Sequence, residues 1–258
     1  MAAAPVADPE LIRGPGHAGA RIAHFHVGPA ALTADLEVDV GHSGILAQST
    51  FWDYDDVVVP AIVLAAGKSV RMGRLKATLR IDDRDTFLTR IVRTFAAAGV
   101  TDVTVVLGYQ APVLIERLRR AGLTPRIVIN EAFESGQLSS LLAGLDAVDG
   151  DQVEAVLLML VDAPLVSPET VRAVRQRYRE TRAPIVRPVR GDEHGHPVLI
   201  DRSLFPALRQ ADPNRGAKPV VRANVSPAGD VIVDDAGAFM DVDTPEEYEM
   251  VFGRPPDV

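Results

Sequence analysis

The chain has 258 residues, 47% of them apolar and 24% charged, with a net charge of −8 and no cysteine. That length and apolar content suit one α/β domain of about 200 residues with an extension rather than two full domains. The acidic balance argues against non-specific nucleic-acid binding, and the lack of cysteine excludes disulfides, thiolate metal sites and a cysteine nucleophile, which suits a reducing cytoplasm.

In chain order, residues 1–55 form an N-terminal extension. They hold His17, His24, His26 and His42, scattered Gly and Pro, and no helical period. Arg21 to Val27 and Leu32 to Val40 alternate weakly about Gly28-Pro29, which predicts a β-hairpin with disorder as its competitor. Four scattered histidines without compact ligand spacing read as loop residues rather than a metal site. Met1 to Gly14 has neither a basic n-region nor an apolar h-region. The longest apolar runs, such as Val57 to Ala66, fall short of the roughly 20 residues a membrane helix needs. The expectation is a soluble cytoplasmic protein with no membrane or nucleic-acid partner.

Residues 56–258 form the expected main domain. Short apolar runs alternate with helix-like segments: Val57 to Leu64 then 86–98, Val103 to Leu107 then 111–121, Arg126 to Ile129 then 137–147, and Ala155 to Val161 then 168–180. This is the pattern of a Rossmann-like, mostly parallel sheet flanked by crossover helices. Shorter strands are expected at 184–188, 197–200 and 231–234. Ser167-Pro168-Glu169 and Thr244-Pro245-Glu246-Glu247 each place a cap residue before Pro and first-turn acids, which marks two helix starts.

The chemistry concentrates where the first apolar run ends. Leu64-Ala65-Ala66-Gly67-Lys68-Ser69-Val70-Arg71-Met72-Gly73 opens a stretch carrying Lys68, Arg71, Arg74, Lys76 and Arg80, with no acid among them. Backbone N–H groups at small residues and converging cations make a cradle for a polyphosphate. It is not a Walker A loop, because the required Gly falls on Ile62, and G-x-G-x-x-G is also absent. A solvated basic turn is the plain alternative, but five cations without an acid repel one another unless an anion joins them.

Two carboxylates stand out further along. Asp162 ends the run Ala155 to Val161, at the carboxyl end of a strand, where parallel sheets bind ligands. Ser167 serves as the following helix cap, so Asp162 is left without a structural task. In Asp241-Val242-Asp243, alternation puts both acids on one face, and Thr244 with Glu247 makes the better capping box. Nucleotidyl transfer needs donors along the triphosphate, a divalent cation and an acceptor held in line.

The decapeptide, with Lys76 following it, is similar to the signature of the MobA-like nucleotidyltransferases, in its cytidylyltransferase form. The family's other elements follow in order. Asp162-Ala163-Pro164 resembles its D-x-P metal motif, although the cytidylyltransferase branch usually has Gln where Ala163 stands. Asp241-Val242-Asp243-Thr244-Pro245-Glu246-Glu247 resembles its D-x-D-T-P-E-D element. Asn130, Gly136, Ser139 and Ser140 fall in a stretch resembling its base and ribose pocket. Gly195-His196-Pro197 resembles its acceptor-side G-H-P element, and Gly216-Ala217-Lys218 its G-A-R element with Lys for Arg.

The resemblance implies a Mg²⁺-dependent enzyme transferring CMP from CTP to molybdopterin, with a molybdoenzyme as a client. Arg71, Lys76 and Asp162 would be catalytic, and Asp162 and Asp243 would hold the metal. Leu64, Ala65, Ala66, Gly67, Ser69, Arg71, Lys76, Asn130, Gly136 and Ser140 would bind the nucleotide; Gly195, His196, Pro197 and Lys218 would face the acceptor. CTP rather than GTP follows from Ala66, where guanylyl-transferring relatives generally have a second Gly. A sugar- or polyol-phosphate nucleotidyltransferase and a pyridine-nucleotide oxidoreductase on the same scaffold are the alternatives.

Overall fold

A computed structural model describes residues 11–12, 20–23 and 58–256. Within the main domain the alternation is as the sequence suggests. Strands β3 (Ala61–Ala65), β4 (Val103–Leu107), β5 (Arg126–Asn130) and β6 (Ala155–Leu160) alternate with helices α1 (Phe87–Ala97), α2 (Ala111–Arg120) and α3 (Gln137–Val148), and α4 (Pro168–Thr181) follows β6. Then come β7 (Ile185–Arg190), β8 (Glu193–His194), β9 (Val198–Asp201), α5 (Phe205–Arg209), α6 (Lys218–Ala223), β10 (Asp230–Ile232) and α7 (Pro245–Phe252).

The first strand is shorter than Val57 to Leu64. Pro60 has no N–H to give a ladder, so regular pairing begins at Ala61 and Val58 makes only an isolated bridge to Val153. The short helices α5 and α6 have no counterpart in the sequence reading, because five or six residues are too few to display a period. Both marked caps are present: the Ser167 hydroxyl accepts from the Thr170 N–H at 3.2 Å, and Thr244 and Glu247 form a capping box.

β3 lies between β4 and β6 and is parallel to both, with Leu64 opposite Val106 on one side and Leu160 on the other. The chain therefore reverses its direction of travel across the sheet at β3, which makes the carboxyl ends of β3 and β6 the ligand-binding edge. Beyond β6 the order continues through β9, β7 and β10, with β9 antiparallel to both neighbours. At the other edge β2 (Ala20–Ala23) pairs antiparallel with β5 and with β1 (Leu11–Ile12). Part of the extension thus joins the sheet, whereas Leu32 to Val40 of the expected hairpin lies outside the described residues.

Alternation along β3 divides the core. Ala61, Val63 and Ala65 face a cluster with Phe95, Leu114 and Val174 from α1, α2 and α4. Ile62 and Leu64 face a second cluster with Leu138, Leu141 and Leu145 from α3. A third, smaller cluster joins Met72, Leu79 and Phe87 to Val242 and Tyr248. It fastens the segment after β3 to the chain near α7, and burying a side chain such as Met72 contributes roughly 1.5–3 kcal/mol.

Candidate nucleotide-binding site

A cleft of about 230 Å³ opens at the carboxyl ends of β3 and β6. Leu64, Ala66, Gly67 and Ser69 line it from the first loop, and Gly136 and Ser140 from the start of α3. Lys76 and Asp162 line it as well. Ala65 stays in the core, 3% exposed. The loop is closed on itself, because the Ser69 hydroxyl accepts from the Lys76 N–H at 3.1 Å. Met72, buried in the third cluster, anchors its far end.

The carboxylates meet beside this loop. The Val242 N–H donates to the Asp162 carbonyl at 2.8 Å, which brings the 241–243 segment against the end of β6. Lys76 Nζ, on a side chain only 9% exposed, lies 3.4 Å from Asp162 Oδ2 and also bonds Asp243 Oδ1. Arg71 Nη1 lies 2.8 Å from Asp243 Oδ2. Arg71 and Lys76 therefore engage the carboxylates directly. The cap of α7 leaves Asp243 free for this, since Glu247 accepts the N–H groups of Asp243 and Thr244 at 2.6 and 3.0 Å.

The electrostatics match that arrangement. Burial works to raise the Asp243 carboxyl, but the hydrogen bond and charge of Lys76, with Arg71, hold it below the usual carboxylate range. Partial burial and the neighbouring charge of Asp162 push Asp241 up, against the opposing effect of His196. Asp162 Oδ1 is buried without a hydrogen-bond partner. An orphaned carboxylate oxygen beside a point that already attracts an ammonium group fits a hard divalent cation. Among the described residues no three His, Cys, Asp or Glu side chains gather as a metal site. Two carboxylates with substrate phosphates completing the shell is the usual manner of holding Mg²⁺.

Asn130 is placed differently from its expectation as a nucleotide contact. Buried at 3% exposure, it donates from Nδ2 to the hydroxyls of Ser139 and Ser140 at 2.9 and 3.0 Å, and its Oδ1 accepts the Ala132 N–H. Its amide braces the turn beneath the cleft instead of lining it. Phe133 and Gln137 line the cleft and were not expected from the sequence. Phe133 packs so closely on Gly108 that a Cβ there would lie 2.7 Å from the ring. Lys68 pairs with Glu134 beside this ring. Only an aromatic in the 130–136 stretch hinted at such a wall.

The Gly195-His196-Pro197 segment lies within electrostatic reach of Asp162 and Asp241. His196 is half-buried; burial lowers its pKa while the charges of Asp241 and Asp162 oppose the shift. Its Nδ1 is buried without a partner. Gly195 allows this approach, as a Cβ would sit 2.2 Å from the Ala238 carbonyl oxygen, and the next N–H, of His196, donates to that carbonyl at 2.8 Å. Pro197 is buried behind it. Lys218, at the start of α6, is exposed and makes no ion pair among the described residues.

Comparison with known proteins decides the family. The model of the MobA-like NTP transferase domain matches residues 61–228. The chain belongs to this family. The MobA-like chain is 33% identical over 203 residues to nicotine blue oxidoreductase of Paenarthrobacter nicotinovorans, covering 76% of this chain and 97% of that one. It is 30% identical over 151 residues to a probable molybdenum cofactor guanylyltransferase of Mycolicibacterium paratuberculosis, covering 54% and 68%. Among solved structures it resembles a manganese complex of Rv0371c from Mycobacterium tuberculosis H37Rv, with a TM-score of 0.61 at 26% identity over 76% of this chain and 98% of that one. No helix among the described residues is long and apolar enough to cross a membrane.

Proposed function

We propose that this MobA-like chain is a Mg²⁺-dependent cytidylyltransferase that transfers CMP from CTP to the phosphate of molybdopterin. An acceptor phosphate oxygen attacks the α-phosphorus and forms a new P–O–P bridge; the bond from that phosphorus to the β-phosphate's bridging oxygen breaks, and pyrophosphate leaves. The observation that carries this reading is the convergence of Asp162, Asp243, Lys76 and Arg71 beside a glycine-bearing loop at the sheet's switch point. Hydride transfer has no need of that combination.

In this reading the loop's backbone N–H groups, with Arg71 and Lys76, bind and orient the triphosphate. Mg²⁺ held by Asp162 and Asp243 would neutralise charge on the reacting phosphate. Phe133, Gly136 and Ser140 form the wall facing the nucleoside. Gly195, His196 and Pro197 turn toward the acceptor, and the open ammonium of Lys218 is available to an acceptor phosphate. CTP preference rests on Ala66. Residues 56–258 are taken as the catalytic unit, with a molybdoenzyme as a client in the cytoplasm.

The 33% identity to an oxidoreductase favours one second reading, reduction by a pyridine nucleotide in the same cleft. A sugar- or polyol-phosphate acceptor would leave the nucleotidyl chemistry unchanged. Pyrophosphate release measured with CTP or GTP and molybdopterin, with and without Mg²⁺, beside oxidation of NADH and NADPH, separates them. Metal-dependent release with CTP supports the proposal; NAD(P)H oxidation without release replaces it.

A further inference from the structure

Asp243 has both carboxylate oxygens engaged. Its Oδ1 accepts from Lys76 Nζ, and its Oδ2 faces Arg71 Nη1 at 2.8 Å. Asp162 is engaged on one side only: its Oδ2 lies 3.4 Å from the same Lys76 ammonium, while its Oδ1 is buried without a partner. One ammonium therefore bridges the two carboxylates that suit a divalent cation.

The two kinds of cation compete for one place. A divalent ion bound to Asp243 would meet an ammonium on one oxygen and a guanidinium on the other, and like charges repel strongly where burial limits screening. Lys76 is the stronger obstacle, because its side chain is 9% exposed against 70% for Arg71. An ammonium is a point charge with rotatable donors on a flexible stem, so it can change partners without moving the backbone. That backbone is fixed, by the Lys76 N–H on the Ser69 hydroxyl at 3.1 Å and by the neighbouring Ala77, buried in the core. Lys76 also lines the nucleotide cleft beside Gly67 and Ser69, where a released ammonium would meet phosphate.

Building on Asp162 and Asp243 as metal ligands, we propose that Lys76 and the divalent cation are alternative occupants of this carboxylate pair. Arrival of the metal and transfer of Lys76 to the nucleotide's phosphates are then one exchange: the metal displaces the ammonium, and the ammonium adds a positive charge to the phosphate side of the cleft. Lys76 thereby makes triphosphate binding depend on metal beyond the ion that the triphosphate itself carries. Arg71 makes the same exchange on Asp243 Oδ2, more weakly because it is exposed.

Titration of the full chain with Mn²⁺, in buffer free of nucleotide and phosphate, tests it; the electron paramagnetic resonance of free Mn²⁺ counts the unbound ion. Lys76→Met keeps a buried apolar stem and removes the charge, so Mn²⁺ should bind about tenfold or more tightly than to wild type. A residue that served phosphates alone would leave metal affinity unchanged. Arg71→Gln, an exposed change that the fold tolerates, should tighten Mn²⁺ about threefold and carries the test if Lys76→Met does not fold. Lys68→Gln removes the same charge from the same loop, but Lys68 pairs with Glu134, so metal affinity should stay within about twofold. Equal Mn²⁺ affinity in wild type, Lys76→Met and Arg71→Gln, or equal tightening by Lys68→Gln, overturns the exchange and leaves the metal ligands in place. No Mn²⁺ binding by any of these chains, or binding unweakened by Asp162→Asn, overturns the metal reading itself and the exchange with it.

Discussion

Val242 donates its N–H to the Asp162 carbonyl at 2.8 Å, and its side chain is fully buried in the cluster that also holds Met72. One residue thus links the end of β6, the loop that follows β3 and the segment carrying Asp243. The site's geometry depends on this small apolar cluster as much as on the charged groups above it.

Met72→Ala should therefore affect stability and binding together. Removing a side chain buried to 2% exposure creates a cavity and is expected to cost about 2–5 kcal/mol. Nucleotide affinity should fall as well, because the loop loses its anchor, and denaturant unfolding beside nucleotide titration reads both. Unchanged nucleotide affinity in a clearly destabilised variant would separate the cluster from the site.

Asp235 governs a pH-dependent contribution at the start of α4. Burial works to raise its carboxyl, but hydrogen bonds from the Thr170 hydroxyl at 2.6 Å, the Ser167 N–H at 2.9 Å and the Gly237 N–H at 3.1 Å hold it below its ordinary value. A lowered folded pKa stabilises above the unfolded pKa, about 3.9, and that stability is lost as pH falls through the folded value. Asp235→Asn should cost on the order of 1 kcal/mol at neutral pH, and less as the pH drops below about 4. Thermal melts from pH 7 to pH 3 check this; a difference that stays constant with pH would contradict it.

The proposed cytidylyl transfer places base choice at Ala66. Wild type should prefer CTP over GTP by about tenfold or more in kcat/KM, about 1.4 kcal/mol of differential transition-state binding. Ala66→Gly should narrow the gap. Competition between the two nucleotides in pyrophosphate release measures it, and a wild-type preference for GTP would overturn the cytidylyl assignment while leaving the reaction class intact.

The sheet was legible in the sequence because β3 to β6 are buried on both faces and read as near-continuous apolar runs, with Ser167 and Thr244 marking helix starts. Asp162 stood out because it ends such a run, Asp243 because it sits beside a capping box that frees it, and Lys76 because it falls in the acid-free basic stretch that follows β3. The role of Asn130 was not, since its polar side chain looks identical whether it reads a ligand or braces Ser139 and Ser140. Phe133 and His196 gain their positions from Gly108 and Ala238, contacts distant in sequence that no local pattern announces.

The central claim is that Asp162 and Asp243 jointly hold the catalytic cation. Its most direct test is Mg²⁺-dependent pyrophosphate release by Asp162→Asn, with nucleotide affinity measured separately. The substitution keeps the shape and removes a charge, so turnover should fall about 10³-fold, on the order of 4 kcal/mol, and the Mg²⁺ requirement should rise. Nucleotide affinity should change far less, because the loop, Arg71 and Lys76 carry ground-state binding. Near-wild-type, metal-dependent release from Asp162→Asn would contradict the claim.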